Sequence, residues 1–410
     1  MWLKRLYTIW VRMCLSSFAL IGPVTMLLAL PVSNTSAQSK LDEMAQAGAV
    51  RMLWKADSSP CVLTKPMVSK NVLFVGSCDR KFYALEKKSG RVVWSYDTRV
   101  DGDSGIFQAI PLLHKDLVIA GTVGQCGAAD AGYVFAFDQR TGKVRWRLKA
   151  SVASVAFADI DDAAPNSSIV FGTREGEWLS IEASSGSVNW RFNTTPPGPN
   201  CESRISVVTD GASVCLLSYD RNVHCLQAKS GHELWKQSPP SPLTTDVFMY
   251  KDVLYFGAAN SHIYGLDPEN GRTLVRLKTA YTLHGNIAES DKDTKGDFEF
   301  AYATGKNSGN DAVVSFADEF GSVLWSRTST ELWTTGAPEP WKGRLFAGNC
   351  KGDILAYSTP DGKPWWSGHI NGCISSFTHD DSSLYISTRE GVVYQYQPPI
   401  SVHLTPRALP

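Results

Sequence analysis

Short runs of alternating apolar and polar residues recur along the chain, and seven of them share one pattern. Position 10 is Gly in all seven copies and position 14 is Trp in six, with Val275 as the exception. The copies are 81–94 (KFYALEKKSGRVVW), 133–146, 177–190, 222–235, 262–275, 312–325 and 353–366. The alternation on both sides of the Gly predicts two antiparallel strands, and the Gly supplies the positive φ of the turn between them.

Further β-rich runs precede most of these hairpins. Examples are NVLFVGSCDR (71–80) and, one run earlier in its own unit, IFQAIPLL (106–113). Each unit therefore has four predicted strands, and the units repeat every 40 to 52 residues. A lone four-stranded sheet cannot bury both of its faces, whereas a ring of such sheets can, so the repeat predicts a β-propeller.

The two ends of the repeat region complete one another. The run SLYISTREGVVYQYQPP (383–399) starts an eighth unit but lacks the Gly-turn-Trp strand. The run AVRMLWK (49–55) contains Trp54, which lies 40 residues before Trp94. The sequence therefore predicts an all-β, eight-bladed propeller of four-stranded blades over 49–399, closed by an N-terminal strand that completes the last blade.

The motif "VLFVGS…FYALEKKSGRVVW" resembles the repeat of proteins named for pyrroloquinoline quinone (PQQ), and the resemblance covers residues 49–399. It implies that the position-14 Trp packs between neighbouring blades and that the Gly forms the turn. The tryptophans given this structural role are Trp54, Trp94, Trp146, Trp190, Trp235, Trp325 and Trp366.

Residues 1–37 have the composition of a secretory signal peptide. Lys4, Arg5 and Arg12 precede an apolar run over 13–30, and small residues precede a cleavage point after Ala37. The run is long enough for an uncleaved membrane anchor to be the alternative. We expect an exported protein, periplasmic or extracellular, with a linker over 38–48 and a C-terminal tail over 400–410.

The cysteine content agrees with export. Eight cysteines follow Cys14, and an even number in an exported protein suggests disulfides. The predicted pairs are Cys61 with Cys78, Cys126 with Cys201, and Cys350 with Cys373. Cys215 and Cys225 are expected to face each other across a hairpin, either bonded or as buried free thiols.

Clustered aspartates suggest a cation site in two insertions. The first cluster contains Asp159, Asp161 and Asp162, and the second contains Asp291, Asp293 and Asp297. Carboxylates on a tight turn can present several oxygens to calcium. Lys292 and Lys295 interrupt the second cluster, so solvated turn carboxylates are the alternative to a metal site.

The first strands of the blades are expected to line an axial funnel, where propellers bind their ligands. Alignment of these strands places polar residues near one rim of the funnel, with one aromatic residue beside them. Such a rim could bind a small anion or a peptide, and a water-filled channel is the alternative. The residues of this predicted rim are Lys65, Gln108, Asp159, Arg204, Asp246, His284 and Trp333.

Two functions remain after these observations. Forty basic residues balance 40 acidic ones, which removes the electrostatic case for nucleic acid. The resemblance implies either a monomeric, non-enzymatic scaffold similar to the PQQ-repeat subunit that helps assemble outer-membrane proteins, or a calcium-dependent quinoprotein dehydrogenase of alcohols or sugars. Such dehydrogenases clamp PQQ with adjacent cysteines, and no Cys-Cys pair occurs. We therefore expect a binding protein with protein or peptide partners at the cell envelope, with no catalytic residue and no cofactor.

Overall fold

A computed structural model describes residues 49–56, 64–103, 105–123, 132–153, 157–160, 167–194, 205–279, 282–283, 288–289, 299–305, 312–318, 322–329 and 338–397. All of them belong to the second of two compact units, Gln46–Pro410. The predicted signal segment, linker and tail lie outside these residues. Within the described ranges, no helix has the length and apolarity needed to cross a membrane.

The first described strand, β1 (Ala49–Lys55), pairs with the end of the chain, and consecutive strands after it form separate sheets. Blade 1 contains β2 to β5: Met67–Ser69, Val72–Gly76, Lys81–Glu86 and Val92–Asp97. Blade 2 contains β6 to β10: Ile106–Phe107, Leu112–His114, Leu117–Val123, Tyr133–Asp138 and Val144–Lys149. Blade 3 contains β11 to β14: Ala158–Ile160, Ser168–Gly172, Glu177–Glu182 and Val188–Asn193. Blade 4 contains β15 to β18: Ser206–Thr209, Ser213–Leu217, Val223–Gln227 and Glu233–Gln237.

The second half of the chain continues the series. Blade 5 contains β19 to β22: Phe248–Tyr250, Val253–Ala258, His262–Leu266 and Thr273–Lys278. Blade 6 contains β23 to β27: Thr282–Leu283, Ala288–Glu289, Glu299–Gly305, Ala312–Asp318 and Val323–Ser329. Blade 7 contains β28 to β31: Glu339–Trp341, Arg344–Gly348, Asp353–Ser358 and Pro364–His369. The closing sheet contains β32 to β34 (Ile374–His379, Leu384–Thr388, Val392–Gln397), and β1 is its outer strand.

The predicted ring of eight like, four-stranded blades requires correction. Seven blades, not eight, are formed by a continuous stretch of chain, and the remaining sheet is the composite closing sheet. Blades 2 and 6 have five strands rather than four, because the polypeptide before their first long strand is divided into two short pieces that both pair with that strand. Repeat spacing alone does not reveal such a division, since it counts residues and not hydrogen bonds.

Burial differs between the middle and outer strands of a blade. All seven residues of the middle strand β8 are buried, because neighbouring blades cover both of its faces. The outer strand β10 alternates instead between half-buried and exposed residues, since one of its faces meets solvent. Inner strands contact those of neighbouring sheets, including β2 with β7, β11 with β15, β28 with β32, and β32 with β2.

The repeated Trp and Gly meet between successive blades. A Cβ on Gly142 would lie 2.5 Å from the ring of Trp94, and Trp94 Nε1 donates a hydrogen bond to the carbonyl of Gln139 at 3.0 Å. Gly142 has a φ of 71°, so its lack of a side chain serves both the turn and this close approach. The same arrangement recurs for Trp146 with Gly186, Trp190 with Gly231, Trp235 with Gly271 and Trp325 with Gly362.

Position 13 of the repeat is a β-bulge in every outer strand. The pairing register of β22, for example, passes from Thr273 directly to Val275 and leaves Leu274 unmatched. The equivalent unmatched residues are Leu53, Val93, Arg145, Asn189, Leu234, Leu324 and Trp365. Such bulges interrupt an otherwise regular sheet edge and reduce uncontrolled pairing with other chains.

The ring closes as the sequence predicts at the junction of the two chain ends. β1 pairs antiparallel with β34, and Arg51 Nε donates to the side-chain oxygen of Gln395 at 3.0 Å. Lys87 of blade 1 bonds Asp380 of the closing sheet at 2.6 Å. Burial raises the pKa of Asp380, but the Lys87 bond and hydrogen bonds from Ser382 and Ser383 outweigh it and lower the pKa to about 2.

Two disulfides lie within the described residues. Cys350 is bonded to Cys373, as predicted, and joins the β29–β30 turn of blade 7 to the segment before β32. Cys215 is bonded to Cys225 directly across β16 and β17, so these cysteines are not free thiols. Cys78 is also disulfide-bonded. Cys61, Cys126 and Cys201 lie outside the described residues, so the other two predicted pairs stay predictions.

Candidate functional site

The structure describes four of the seven predicted funnel residues. Lys65 and Asp246 occupy equivalent places in blades 1 and 5, because each follows a threonine that anchors the second strand. Gly76 N donates to Thr64 Oγ1 at 2.9 Å, and Gly257 N donates to Thr245 Oγ1 at 2.8 Å. Gln108 is exposed, and Asp159 lies in β11. Arg204, His284 and Trp333 lie outside the described residues.

Lys65 belongs to an ionic cluster that sequence reasoning missed. Its Nζ lies 3.0 Å from Glu339 Oε2, and His379 Nδ1 lies 3.1 Å from Glu339 Oε1. The three residues come from blade 1, blade 7 and the closing sheet, so one carboxylate links three neighbouring sheets at the ring closure. Glu339 is 8% exposed, whereas the side chains of Lys65 and His379 are 36% and 34% exposed and reach solvent.

The charge of Glu339 is maintained by its two partners. Burial opposes ionisation of this carboxyl, but the Lys65 ammonium and the hydrogen bond and charge of His379 outweigh burial and hold its pKa below the ordinary value. The cluster is therefore a charge-compensated link between strands.

A positional signal for Glu339 exists in the sequence. Glu339 pairs with the third residue of the second strand of its blade. The residues with this pairing in the seven other sheets are all apolar: Met67, Leu112, Ala158, Val208, Phe248, Ala288 and Phe377. A carboxylate in an apolar column requires a buried partner, so an alignment of inner strands by register would have indicated this cluster.

Asp159 participates in a second buried network, between blades 2 and 3. Its Oδ2 lies 3.1 Å from His114 Nδ1, and His114 Nε2 lies 2.9 Å from Ser167 Oγ. This is the atom order of a nucleophile, base and acid in serine hydrolases. Ser167 is 2% exposed and His114 is 3% exposed, so a substrate carbonyl cannot reach the hydroxyl. The network therefore joins two blades and gives no candidate catalytic site.

A cleft of 260 Å³ opens between blades 2 and 3. Its charged lining consists of Lys149, Glu175, Glu177 and Arg191, and Arg191 is bonded to Glu177 at 2.6 Å. The mixture of signs and this ion pair give the cleft no clear preference for an anion or a cation.

The structure describes only some of the residues that were predicted to hold a metal or a cofactor. Within the described ranges, no three His, Cys, Asp or Glu side chains are grouped closely enough to hold a metal ion. Asp161, Asp162, Asp291, Asp293 and Asp297 lie outside those ranges, so the calcium site stays a prediction. PQQ carries three carboxylates and requires cations, but the ammonium of Lys65 is already bound to Glu339. Arg204, His284 and Trp333 of the predicted rim lie outside the described residues, so the expectation that the funnel binds no PQQ stays a prediction.

Comparisons with known proteins agree with the fold. A family model described as "Outer membrane protein assembly factor BamB" matches residues 45–170, 130–203 and 174–290. The outer membrane protein assembly factor BamB of Yersinia pestis is 20% identical over 329 residues, which cover 78% of this chain and 81% of that protein. The crystal structure of BamB from Moraxella catarrhalis matches with a TM-score of 0.62 and 16% identity, over 85% of this chain and 100% of that chain.

An enzyme is also among the relatives. The dehydrogenase subunit of a quinone alcohol dehydrogenase from Gluconobacter oxydans is 22% identical over 399 residues. The match covers 87% of this chain but only 50% of that longer protein. The likeness to this enzyme therefore concerns the propeller repeats and leaves half of the enzyme unmatched.

Proposed function

The chain belongs to the family whose model is described as outer membrane protein assembly factor BamB, and from this premise we propose that it is an exported, non-enzymatic protein that binds protein partners at the cell envelope. The family match covers more than half of the chain, and the relative from Yersinia pestis is matched over 81% of its length. Export is supported by the composition of residues 1–37 and by the disulfides Cys215–Cys225 and Cys350–Cys373.

The observation that carries the proposal is a set of exposed apolar side chains at one repeat position. The bulged residue at position 13 is exposed and apolar in blade 1 and in the consecutive blades 4 to 7: Val93 (40%), Leu234 (50%), Leu274 (46%), Leu324 (48%) and Trp365 (39%). Blades 2 and 3 instead have the polar residues Arg145 and Asn189 at this position. Apolar residues repeated along one side of a rim favour a protein interface, because association removes them from water.

A photo-crosslinking amino acid at position 13 tests this proposal in cells. We expect adducts with envelope proteins when the probe replaces Leu234, Leu274 or Leu324. Arg145 and Asn189, at the same repeat position of blades 2 and 3, are the matched controls and should give weaker adducts. Equal labelling of both groups, or no adducts from blades 4 to 6, would contradict a binding surface on this side of the ring.

The alternative is a quinoprotein dehydrogenase, favoured by the relative from Gluconobacter oxydans. It is tested by calorimetric titration of the purified mature chain with PQQ in the presence of calcium, followed by a dye-linked oxidation assay on alcohols and sugars. We expect neither heat nor turnover. One-to-one binding with turnover would replace the scaffold proposal by the enzyme.

A further inference from the structure

The outer strand of blade 5 has an unusual set of charges. Arg272, Leu274, Arg276 and Lys278 occupy alternate positions along RTLVRLK (272–278), and all four are exposed. Arg276 and Lys278 share one face of the regular part of the strand, whereas Arg272 precedes the bulge and Leu274 forms it. We call these four exposed residues together the β22 basic face. Among the described residues, none of its three cations has a carboxylate partner. Arg276 lies over the ring of Tyr264, with the guanidinium carbon 6.0 Å from the ring centroid.

Cations on the outer strands of blades 2, 3 and 4 are paired with carboxylates. In blade 2, Arg145 is bonded to Asp138 at 2.8 Å and Arg147 to Asp101 at 2.9 Å. In blade 3, Arg191 is bonded to Glu177, and in blade 4, Lys236 is bonded to Asp220. The turn before β22 contains Asp267, but this carboxylate accepts hydrogen bonds from Glu269 N and Asn270 Nδ2. Among the described residues, the β22 basic face is therefore a strip of cations without carboxylate partners, on a chain with balanced total charge.

Among the described strands, none pairs with the outer edge of β22 beyond the bulge. β22 is the terminal strand of its sheet and pairs with β21. Register is regular from Val275 to Lys278, whereas the bulge at Leu274 interrupts the edge before it. An extended peptide could therefore add to the last four residues of β22. Its same-face side chains would repeat about every 6.6 Å, which equals the spacing between Arg276 and Lys278 along the strand.

We propose that the β22 basic face binds an extended acidic peptide segment of a partner protein, with carboxylates on Arg272, Arg276 and Lys278 and an apolar residue against Leu274. The inference rests on the proposed function and specifies the chemistry of one partner segment. Complementary charge selects the segment and speeds association, while backbone pairing and contact with Leu274 hold it. The interaction weakens with added salt because the cations are exposed.

The test measures fluorescence anisotropy of a labelled, end-capped peptide of alternating Glu and Val added to the mature full-length chain. We expect saturable binding that falls with salt, and no binding of the matching Gln–Val peptide. The double variant R272E/R276E should weaken binding at least about tenfold. The matched control K143E/R147E changes the same two repeat positions in blade 2 and should stay within about twofold of the original chain.

Specific outcomes would overturn the proposal. It fails if the two double variants bind the Glu–Val peptide equally, or if the Gln–Val peptide binds as tightly as the Glu–Val peptide. It also fails if the protein binds anionic phospholipid vesicles in an Arg276-dependent manner but does not bind the peptide. Should R272E/R276E not fold by circular dichroism, the single variants Arg276→Gln and Lys278→Gln replace it. Crosslinking from Leu324 is independent of β22. If the peptide test fails while the Leu324 adducts are observed, this inference is wrong and the broader binding proposal stands.

Discussion

Single residues at the blade interfaces perform two tasks at once. Five repeat glycines adopt a left-handed turn, and their missing Cβ makes room for the Trp of the preceding blade: Gly142, Gly186, Gly231, Gly271 and Gly362. The Trp in turn donates Nε1–H to a carbonyl of that turn, at 2.6 to 3.0 Å in five interfaces. Because turn and packing depend on the same atom, substitution of such a Gly is expected to damage both.

The variants Gly142→Ala and Gly102→Ala separate the contribution of the left-handed turn from that of the Trp packing. Gly142 and Gly102 have nearly the same φ, 71° and 72°, but a Cβ at Gly142 would meet Trp94 at 2.5 Å whereas Gly102 has open space. We expect Gly102→Ala to lower the free energy of unfolding by about 1–2 kcal/mol through backbone strain. Gly142→Ala should cost at least about 1–3 kcal/mol more through overpacking. Chemical denaturation measures both, and equal losses would show that the Trp94 contact is unimportant.

At the scale of strands, the ring closure depends on charge as well as on backbone pairing. Glu339 on β28 contacts Lys65, which precedes β2, and His379 on β32. Lys87 and Asp380 add a second ion pair between blade 1 and the closing sheet. Both pairs connect segments that are remote in sequence, so their loss should affect the closure more than the fold of any one blade.

Glu339→Gln tests the role of the buried carboxylate. We expect a loss of about 1–2 kcal/mol of unfolding free energy at neutral pH, less than for a fully buried pair because Lys65 is one third exposed. The pKa of Glu339 in the folded protein is below its ordinary value of 4.5, so its stabilising contribution is complete above that pH and is lost as the pH falls through the folded-state pKa. The difference between the original chain and the variant should therefore shrink in acid.

Urea denaturation at neutral and acidic pH measures this effect. Asp361→Asn is the control, because Asp361 is paired with Lys363 at the protein surface. A constant difference between the original chain and Glu339→Gln across the acidic range would contradict an ionised Glu339 as the cause.

For the whole molecule, one strand from the start of the chain completes the sheet at its end. β1 covers the edge of β34 along Ala49↔Gln397 to Lys55↔Val392. Leu53 of β1 also contacts the turn at Gly90, where an added Cβ would collide with its carbonyl. Without β1, the ring would keep an unpaired edge and lose the contact of Leu53 with the Gly90 turn of blade 1.

Deletion of residues 49–55 tests this closure. We expect a lower unfolding temperature and self-association by size-exclusion chromatography, because the exposed β34 edge is free to pair with another copy. Addition of the peptide AVRMLWK should partly restore the monomer, and a scrambled peptide should not. An unchanged melting temperature and a monomeric elution would show that β1 does not close the ring.

Much of the fold was predictable because the repeat reports local physics. Alternation and Gly at position 10 indicate hairpins, and the place of Trp54 relative to Trp94 indicates that the chain ends share one sheet. The divided first strands of blades 2 and 6 were not predictable, since hydrogen-bond pairing and not residue spacing defines them. Among the candidate site residues, Lys65 and Asp159 lie on inner strands or beside them. Their partners, Glu339 and His114, were not predicted because these contacts join residues that are remote in sequence.

The sequence by itself determined the repeating hairpins, the Gly turns and the closure of the ring, because each follows from a periodic pattern or a short-range conformational preference. The Cys350–Cys373 bond was predicted, but only the structure decided its connectivity. Only the tertiary structure decided which charges are neutralised. Asp159 meets a buried His114, Lys65 meets Glu339, and the cations of β22 meet no carboxylate among the described residues. Charge pairing depends on distances between separate blades, and a linear pattern does not contain those distances.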